Sequence, residues 1–324
     1  MRTLYFFSAL AISMLISINL QAVPLTDTLS NILRSKESDS QQQIRIARLC
    51  VDRFLRSSNN DHLATSMPDS LAKYGLSGQA ELKNYIQVMI LRRKMELEKV
   101  DQLLKRSIAL SQQHSETTFL YLFYLNQAYI QTDLNNPLNA VYHYRLARKA
   151  AEEIGNKDLF VTTDIGISDI YTNIGLYQKA LIYLDKAQSV IDTEGAGLAS
   201  SQPIIYLNKS EVFFKLGILD SLHHYTELTR LNRNSGRDMD RNLKRLDYFN
   251  LILANKHQMA IPLIQYLLAT GNQYYKTIDK WHLTECYYHT GKLDSAQILA
   301  LELTQNHKST SSPIRLEAYK LLAK

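Results

Sequence analysis

Residues that interrupt a helix recur along this chain at nearly constant intervals, and that beat limits what the chain can fold into. Asn135-Asn136-Pro137, Gly155-Asn156, Gly175, Gly195, Gly217, Gly236, Asn255, Gly271 and Gly291 stand 16 to 22 residues apart. Between them apolar residues fall three and four apart, as in Leu181, Leu184 and Ala187 or Leu222, Tyr225 and Leu228. That is the spacing of one helix face. Each interval accommodates a helix of roughly 14 to 18 residues, about 21 to 27 Å long. No sustained period-two alternation and no Asn-Gly or Asp-Gly dipeptide announces a strand or hairpin. The predicted fold class is all α.

The helices are expected in pairs. Ala140, Ala180, Leu222, Ala260 and Ala296 occupy equivalent positions, separated by 40, 42, 38 and 36 residues. Periods in this range mark stacked helix–turn–helix units, none of which buries its apolar face alone. Gly175 ends one helix in a left-handed cap. Tyr177 then packs back over the turn, and Ala180 is small where the two helices approach most closely, with Leu184 and Ala187 continuing the stripe.

The residues Tyr171, Gly175, Tyr177, Ala180, Leu184 and Ala187 together resemble a tetratricopeptide repeat. Tyr287, Gly291, Leu293, Ala296 and Ala300 repeat the pattern. Phe213, Gly217 and Leu219 form a third copy, in which Leu222 and Thr229 replace alanines. Asn255, Ala260 and Leu267 mark a divergent copy, and Tyr129, Asn135 and Ala140 one whose turn carries Pro137. The resemblance covers residues 116–324 and extends back to 80. It implies a right-handed superhelical solenoid of about five or six antiparallel helix pairs, the last incomplete.

The domain organisation follows. Arg2 precedes an apolar run from Leu4 to Leu20, and Ala22 is a small residue at a cleavage position, so residues 1–22 read as a secretory signal peptide. Residues 23–79 read as a divergent helical cap with one helix at Gln41–Arg56, and 80–324 as the repeats. The span 81–114 lacks Gly and Pro and fits one helix of about 50 Å. Stepping back 40 residues from Ala140 lands on Val100, however, which predicts a hairpin turning at Lys94–Glu96. After Pro313, Ala318, Leu321 and Leu322 mark the first helix of a further pair, either a cap or the front of something longer. No run after the signal reaches the ~18 residues of a membrane span. Cys50 and Cys286 cannot build a disulfide framework and read as buried thiols.

Motifs for chemistry are sparse. The formal charge of +6 is spread among interleaved acids and bases, which gives no nucleic-acid footprint. Arg92-Arg93-Lys94 and Lys105-Arg106 read as solvated helix faces. Cys286-x-x-His289 has no matching second pair, no HExxH or GxSxG occurs, and Gly195-Ala196-Gly197 lacks the rest of a phosphate loop. The expectation is no metal, no cofactor and no catalytic residue. Asp164, Asp169, Glu211 and Glu285 could supply the acid pair of a glycosidase, but the sequence does not choose among them.

Binding is the predicted activity. The resemblance implies a concave groove lined by the first helices, with exposed positions Thr162, Asp169 and Asn173, then Glu211, Phe214 and Lys215, then Asn242, Arg245 and Phe249, then Trp281, Glu285, Tyr288 and His289. Its structural signature residues are Tyr171, Gly175, Tyr177, Ala180, Ala187, Gly217, Ala260, Gly291 and Ala296. The family's chaperone-binding branch uses lysines and asparagines where Ile165, Asp169, Leu207 and Glu211 stand here, which argues against capture of a terminal carboxylate. The reading is a non-catalytic, periplasmic scaffold for a protein or peptide. It resembles the exported sensor halves of bacterial membrane-spanning regulators. The alternatives are a cell-wall hydrolase or a solute-binding component on the same scaffold. Membrane attachment is expected only if the signal is retained or the chain continues, and the oligomeric state is not readable.

Overall fold

The computed structural model describes residues 78–194, 201–233, 237–270, 275–305 and 312–323, together with Gln42, Arg45 and Ile46. The expected signal peptide, all but a few residues of the expected cap and its helix, and Cys50 lie outside them. Thirteen helices and no strand occur among the described residues. They are α1 (Gln79–Arg93), α2 (Leu97–Gln113), α3 (Thr117–Asp133), α4 (Pro137–Ile154), α5 (Lys157–Asn173), α6 (Tyr177–Glu194) and α7 (Gln202–Leu216). There follow α8 (Leu219–Leu231), α9 (Arg237–Leu253), α10 (His257–Thr270), α11 (Lys276–His289), α12 (Leu293–Gln305) and α13 (Ser312–Leu322). The chain is an all-α helical-repeat protein.

One turn explains the beat. Gly175 is left-handed, with φ 78°. Its N–H donates to the Thr172 carbonyl at 3.2 Å, and the Leu176 N–H donates to Tyr171 at 2.8 Å. These two bonds close the helix end as a Schellman motif. Leu176 then accepts from the Ala180 N–H at 3.1 Å, so the residue that ends the first helix also starts the second. The same triplet recurs with Ile218 bonded to Phe213 and Leu222, Lys256 to Leu251 and Ala260, and Lys292 to Tyr287 and Ala296. A left-handed residue is thus followed five positions later by a buried one: Val100, Ala140, Ala180, Leu222, Ala260 and Ala296 are all at most 1% exposed.

Glycine is not required for this geometry. Met95, Ser115, Asn135, Gly155 and Gly175 are all left-handed and stand 20 residues apart. Met95 turns the chain between α1 and α2, where the step of forty placed the hairpin. Pro137 is no irregularity in the helix that follows, because it sits at the first position of α4, where its missing N–H has no intrahelical partner to lose.

The chain divides into two units, and the division falls inside α5. The N-terminal unit comprises, among those described, residues 78–132 and Asn136–Gly166 with Gln42, Arg45 and Ile46. Its core is aromatic: Tyr85, Phe119, Tyr121 and Phe123 are each at most 2% exposed. Arg92, expected on a solvated face, instead lies over the Tyr129 ring at 5.2 Å and donates to Asn126 Oδ1 at 2.9 Å. Arg93, Lys94, Lys105 and Arg106 are exposed as expected.

The C-terminal unit comprises Asp133–Asn135 and Ile167–Lys324. Each helix from α6 to α13 packs on the next, while α7 also reaches α9 and α11 reaches α13. First helices of successive pairs therefore touch one another. Ala300, Leu303 and Ala318 form a buried cluster joined by Trp281, Ile314, Leu321 and Leu322. The last helix buries its apolar face there. Among the described residues, no helix is long and apolar enough to cross a membrane.

Candidate functional site

Within the C-terminal unit the row of first helices runs through the end of α5, then α7, α9 and α11. Its lower-numbered end is polar. Asn173 and Lys215 are exposed, and Asp169 and Glu211 are half-buried. Asp169 Oδ1 accepts a hydrogen bond from Asn208 Nδ2 at 2.8 Å, an amide 39 residues away on α7. Glu211 makes no hydrogen bond or ion pair with any described residue.

Burial pushes the Asp169 carboxyl well above the usual carboxylate range, and the like charge of Glu211 pushes it further. Burial also raises Glu211, against the opposing pull of Arg245 and Lys215 and with a small push from Asp279. The folded chain thus holds protons that the unfolded chain releases above about pH 4. Stability contributed by these two groups is present at low pH and lost as pH rises through their folded-state values. The variant Asp169→Asn keeps the acceptor for Asn208. It is expected to be more stable than the native chain at pH 8 and to flatten the fall in stability between pH 5 and 8, as measured by urea unfolding. An unaltered pH slope would refute the assignment.

The middle of the row departs from expectation. Phe214 and Phe249, expected to be exposed, are 8% and 4% exposed and stack face to face, ring centres 3.9 Å apart at 8°. His282 stands edge-on to both, at 5.3 and 5.5 Å. These rings are cement between first helices, because α7, α9 and α11 approach closely enough to exclude water from them.

Asn242 and Arg245 were also expected to be exposed and are buried. Arg245 Nε and Nη2 donate to the two Asp279 carboxylate oxygens at 2.9 and 3.0 Å, and Nη1 donates to Asn242 Oδ1 at 3.1 Å. The guanidinium lies over the Tyr275 ring at 3.6 Å, and the Tyr248 hydroxyl donates to Asp279 Oδ1 at 2.8 Å. Arg245 therefore clamps α9 to α11 and is unavailable to a partner. Asp279, Tyr248, Asn208 and His282 escaped the sequence reading. An arginine placed among Leu243, Leu246 and Phe249 was the available signal, since a buried cation requires an acid.

At the far end, Trp281 is half-buried against Ala300, Leu303 and Ala318. Glu285 Oε2 lies 2.7 Å from His282 Nδ1. Tyr288 is half-buried. His289 is exposed and stacks on His257 of α10 at 4.4 Å, beside Cys286 Sγ, which lies 3.9 Å from His257 Nδ1. Burial pushes the Cys286 thiol up to about 12, aided by Glu285, so it is an unreactive packing group. Among the described residues, no three His, Cys, Asp or Glu side chains gather to hold a metal ion. Thr162 lies in the N-terminal unit and bonds the Asp158 carbonyl at 3.0 Å. The accessible row thus reduces to Asp169, Asn173, Glu211, Lys215, Glu285, Tyr288 and His289.

No protein-family model matches the chain, and no curated protein matches it in sequence. Among solved structures it is similar to the crystal structure of aspartyl phosphate phosphatase F from Bacillus subtilis, with a TM-score of 0.58 and 15% identity over 93% of this chain and 80% of that one. At that identity the likeness is one of fold. The all-helical architecture and this likeness together show an all-α helical-repeat fold.

Proposed function

We propose that the chain is a non-catalytic helical-repeat scaffold that binds a protein or peptide along the first-helix row of its C-terminal unit. The observation that carries this reading is the Asp169–Glu211 pair. Two half-buried carboxyls whose proton affinity burial raises, that of Asp169 further through the charge of Glu211, and with no ion-pair partner among the described residues, weaken a fold that has no use for them. They suit a partner segment that brings a lysine or arginine. Exposed Asn173 and Lys215 flank the pair and leave it approachable. Residues 1–22 support export to a bacterial periplasm, where such a scaffold would serve as the sensor part of a signalling or regulatory system.

A photo-crosslinking residue at Asn173 or Lys215 is expected to give a covalent adduct with a polypeptide in the native cell. The same residue at Ile182, exposed on the second helix α6, should give at least tenfold less. Equal yields at both faces, or none at Asn173 and Lys215, would overturn the assignment. The acid pair also meets one requirement of the wall-hydrolase alternative. Release of soluble fragments from purified cell wall, abolished by Glu211→Gln, would favour that reading instead.

A further inference from the structure

The second helices of the C-terminal unit do not all meet water in the same way. In the register set by the buried Ala180 and Ala260, the exposed Lys179, Asp185 and Lys186 of α6 are matched on α10 by the exposed Met259, Gln265 and Tyr266. Among the thirteen helices described, α10 alone contains no Asp, Glu, Lys or Arg. On α12, aligned through the buried Ala296, the same positions expose Ser295, Leu301 and Glu302. Glu302 is already held by Lys280 of α11, Oε2 to Nζ at 2.7 Å, and Asp294 stands in the first turn, at the end of the face. Both α10 and α12 pack on α11, so their outward sides adjoin as second helices do in a stack of pairs.

The surface they share is apolar. Met259 and Ile298 are each 59% exposed, Tyr266 48% and Leu301 42%, with exposed Pro262 and Ala269 between them. A contiguous apolar patch of several hundred Å² is unusual on a soluble monomer and marks an interaction surface. Whatever covers it must lack charge there, because an ion set against these side chains would lose its water and gain no partner. A second copy of the chain meets that condition by symmetry. A two-fold axis lays one patch on its own image, so neutral side chains meet neutral side chains. Two helices about 20 Å long and about 10 Å wide, side by side, make a face roughly 20 Å square. Roughened by its side chains, that face offers on the order of the 600 Å² per partner at the lower bound of stable interfaces. Lys244, whose ammonium stands 5.0 Å from the Tyr266 ring centre, and Gln265, bonded to the Tyr287 hydroxyl at 3.0 Å, supply a polar rim.

We propose that the outward face of α10 and α12 is a homodimer interface, on which a second copy of this chain docks about a two-fold axis through Met259, Pro262, Tyr266, Ile298 and Leu301. It shares no residue with the first-helix row, so either assignment can fail without the other.

The test is sedimentation velocity of the purified chain over a concentration series that reaches tens of micromolar. The double variant Met259→Glu/Ile298→Glu places charge on the patch at side chains that are largely in water, so it should keep its helix content, as circular dichroism will show. A second double variant, Leu316→Glu/Tyr319→Glu, places the same charge on α13, whose exposed apolar side chains form the rival surface. A monomer–dimer equilibrium is expected, with dimer dominant at the highest concentration. The α10/α12 variant should raise the dissociation constant at least tenfold and the α13 variant less than twofold. A native chain that stays monomeric throughout would overturn the proposal, since the patch would then await a different partner. A dimer weakened equally by both variants, or by the α13 variant alone, would overturn it as well.

Discussion

Replacing Arg245 by methionine is expected to destabilise the chain by about 3–5 kcal/mol, seen as a lower urea midpoint with an unchanged slope. The size of the effect comes from what is left behind. Asp279 is 1% exposed and would lose both guanidinium bonds, keeping only the Tyr248 hydroxyl. A buried carboxylate with one neutral donor is far worse solvated than the same group in water. The pair as a whole has a different worth from either half. The double variant Arg245→Met/Asp279→Leu removes both charges and fills the same space with apolar atoms, so it should recover most of the loss. A single variant within about 1 kcal/mol of the native chain would contradict the burial of this clamp. So would a double variant as unstable as the single one.

The second large effect is expected at Gly166, inside α5. A Cβ built there would meet the Tyr144 ring, with ring carbons 2.4 Å away and the hydroxyl oxygen 2.6 Å away. Tyr144 is 4% exposed and stands edge-on to Tyr129 at 5.8 Å, so it has little room to retreat. Gly166→Ala would gain about 1 kcal/mol of helix propensity and lose about 1–3 kcal/mol to overpacking. The net loss expected is about 0–2 kcal/mol. Two arms of a double-mutant cycle separate the clash from a general effect. In the Tyr144→Leu background the shortened side chain vacates the space, and Gly166→Ala should there be neutral or stabilising. A loss of equal size in both backgrounds would sink the steric account.

These two sites show where sequence reading works and where it stops. The turns were legible because their backbone demand is local: Gly175, Gly217 and Gly291 supply the left-handed residue, and the buried position follows five residues later. Even Met95, which no residue preference reveals, was reached through Val100 and the step of forty. Ser115 was not, since serine rarely adopts that conformation and no equivalent buried residue pointed to it. The face of each first helix was harder. A repeat pattern assigns Phe214, Phe249 and Arg245 to one side, but whether that side meets water or another helix depends on how closely α7, α9 and α11 approach. Arg245 finds its acid 34 residues away and Asp169 its amide 39 residues away. Those pairings are tertiary and leave no local trace. Gly166 is silent for a related reason: it ends no helix and holds no left-handed angle, and only the ring across from it explains the missing side chain.

The clamp between α9 and α11 also bears on how the stack comes apart. Where each helix pair meets only its neighbours, stability is close to a sum of local terms, and pairs can open one at a time from an end. Peeling α11 away would strip Arg245 of its carboxylate while Asn242 and the rest of α9 still hold the guanidinium out of water. That partial opening is penalised twice, once for lost packing and once for a stranded charge. The pairs α9/α10 and α11/α12 are consequently expected to open together rather than one at a time.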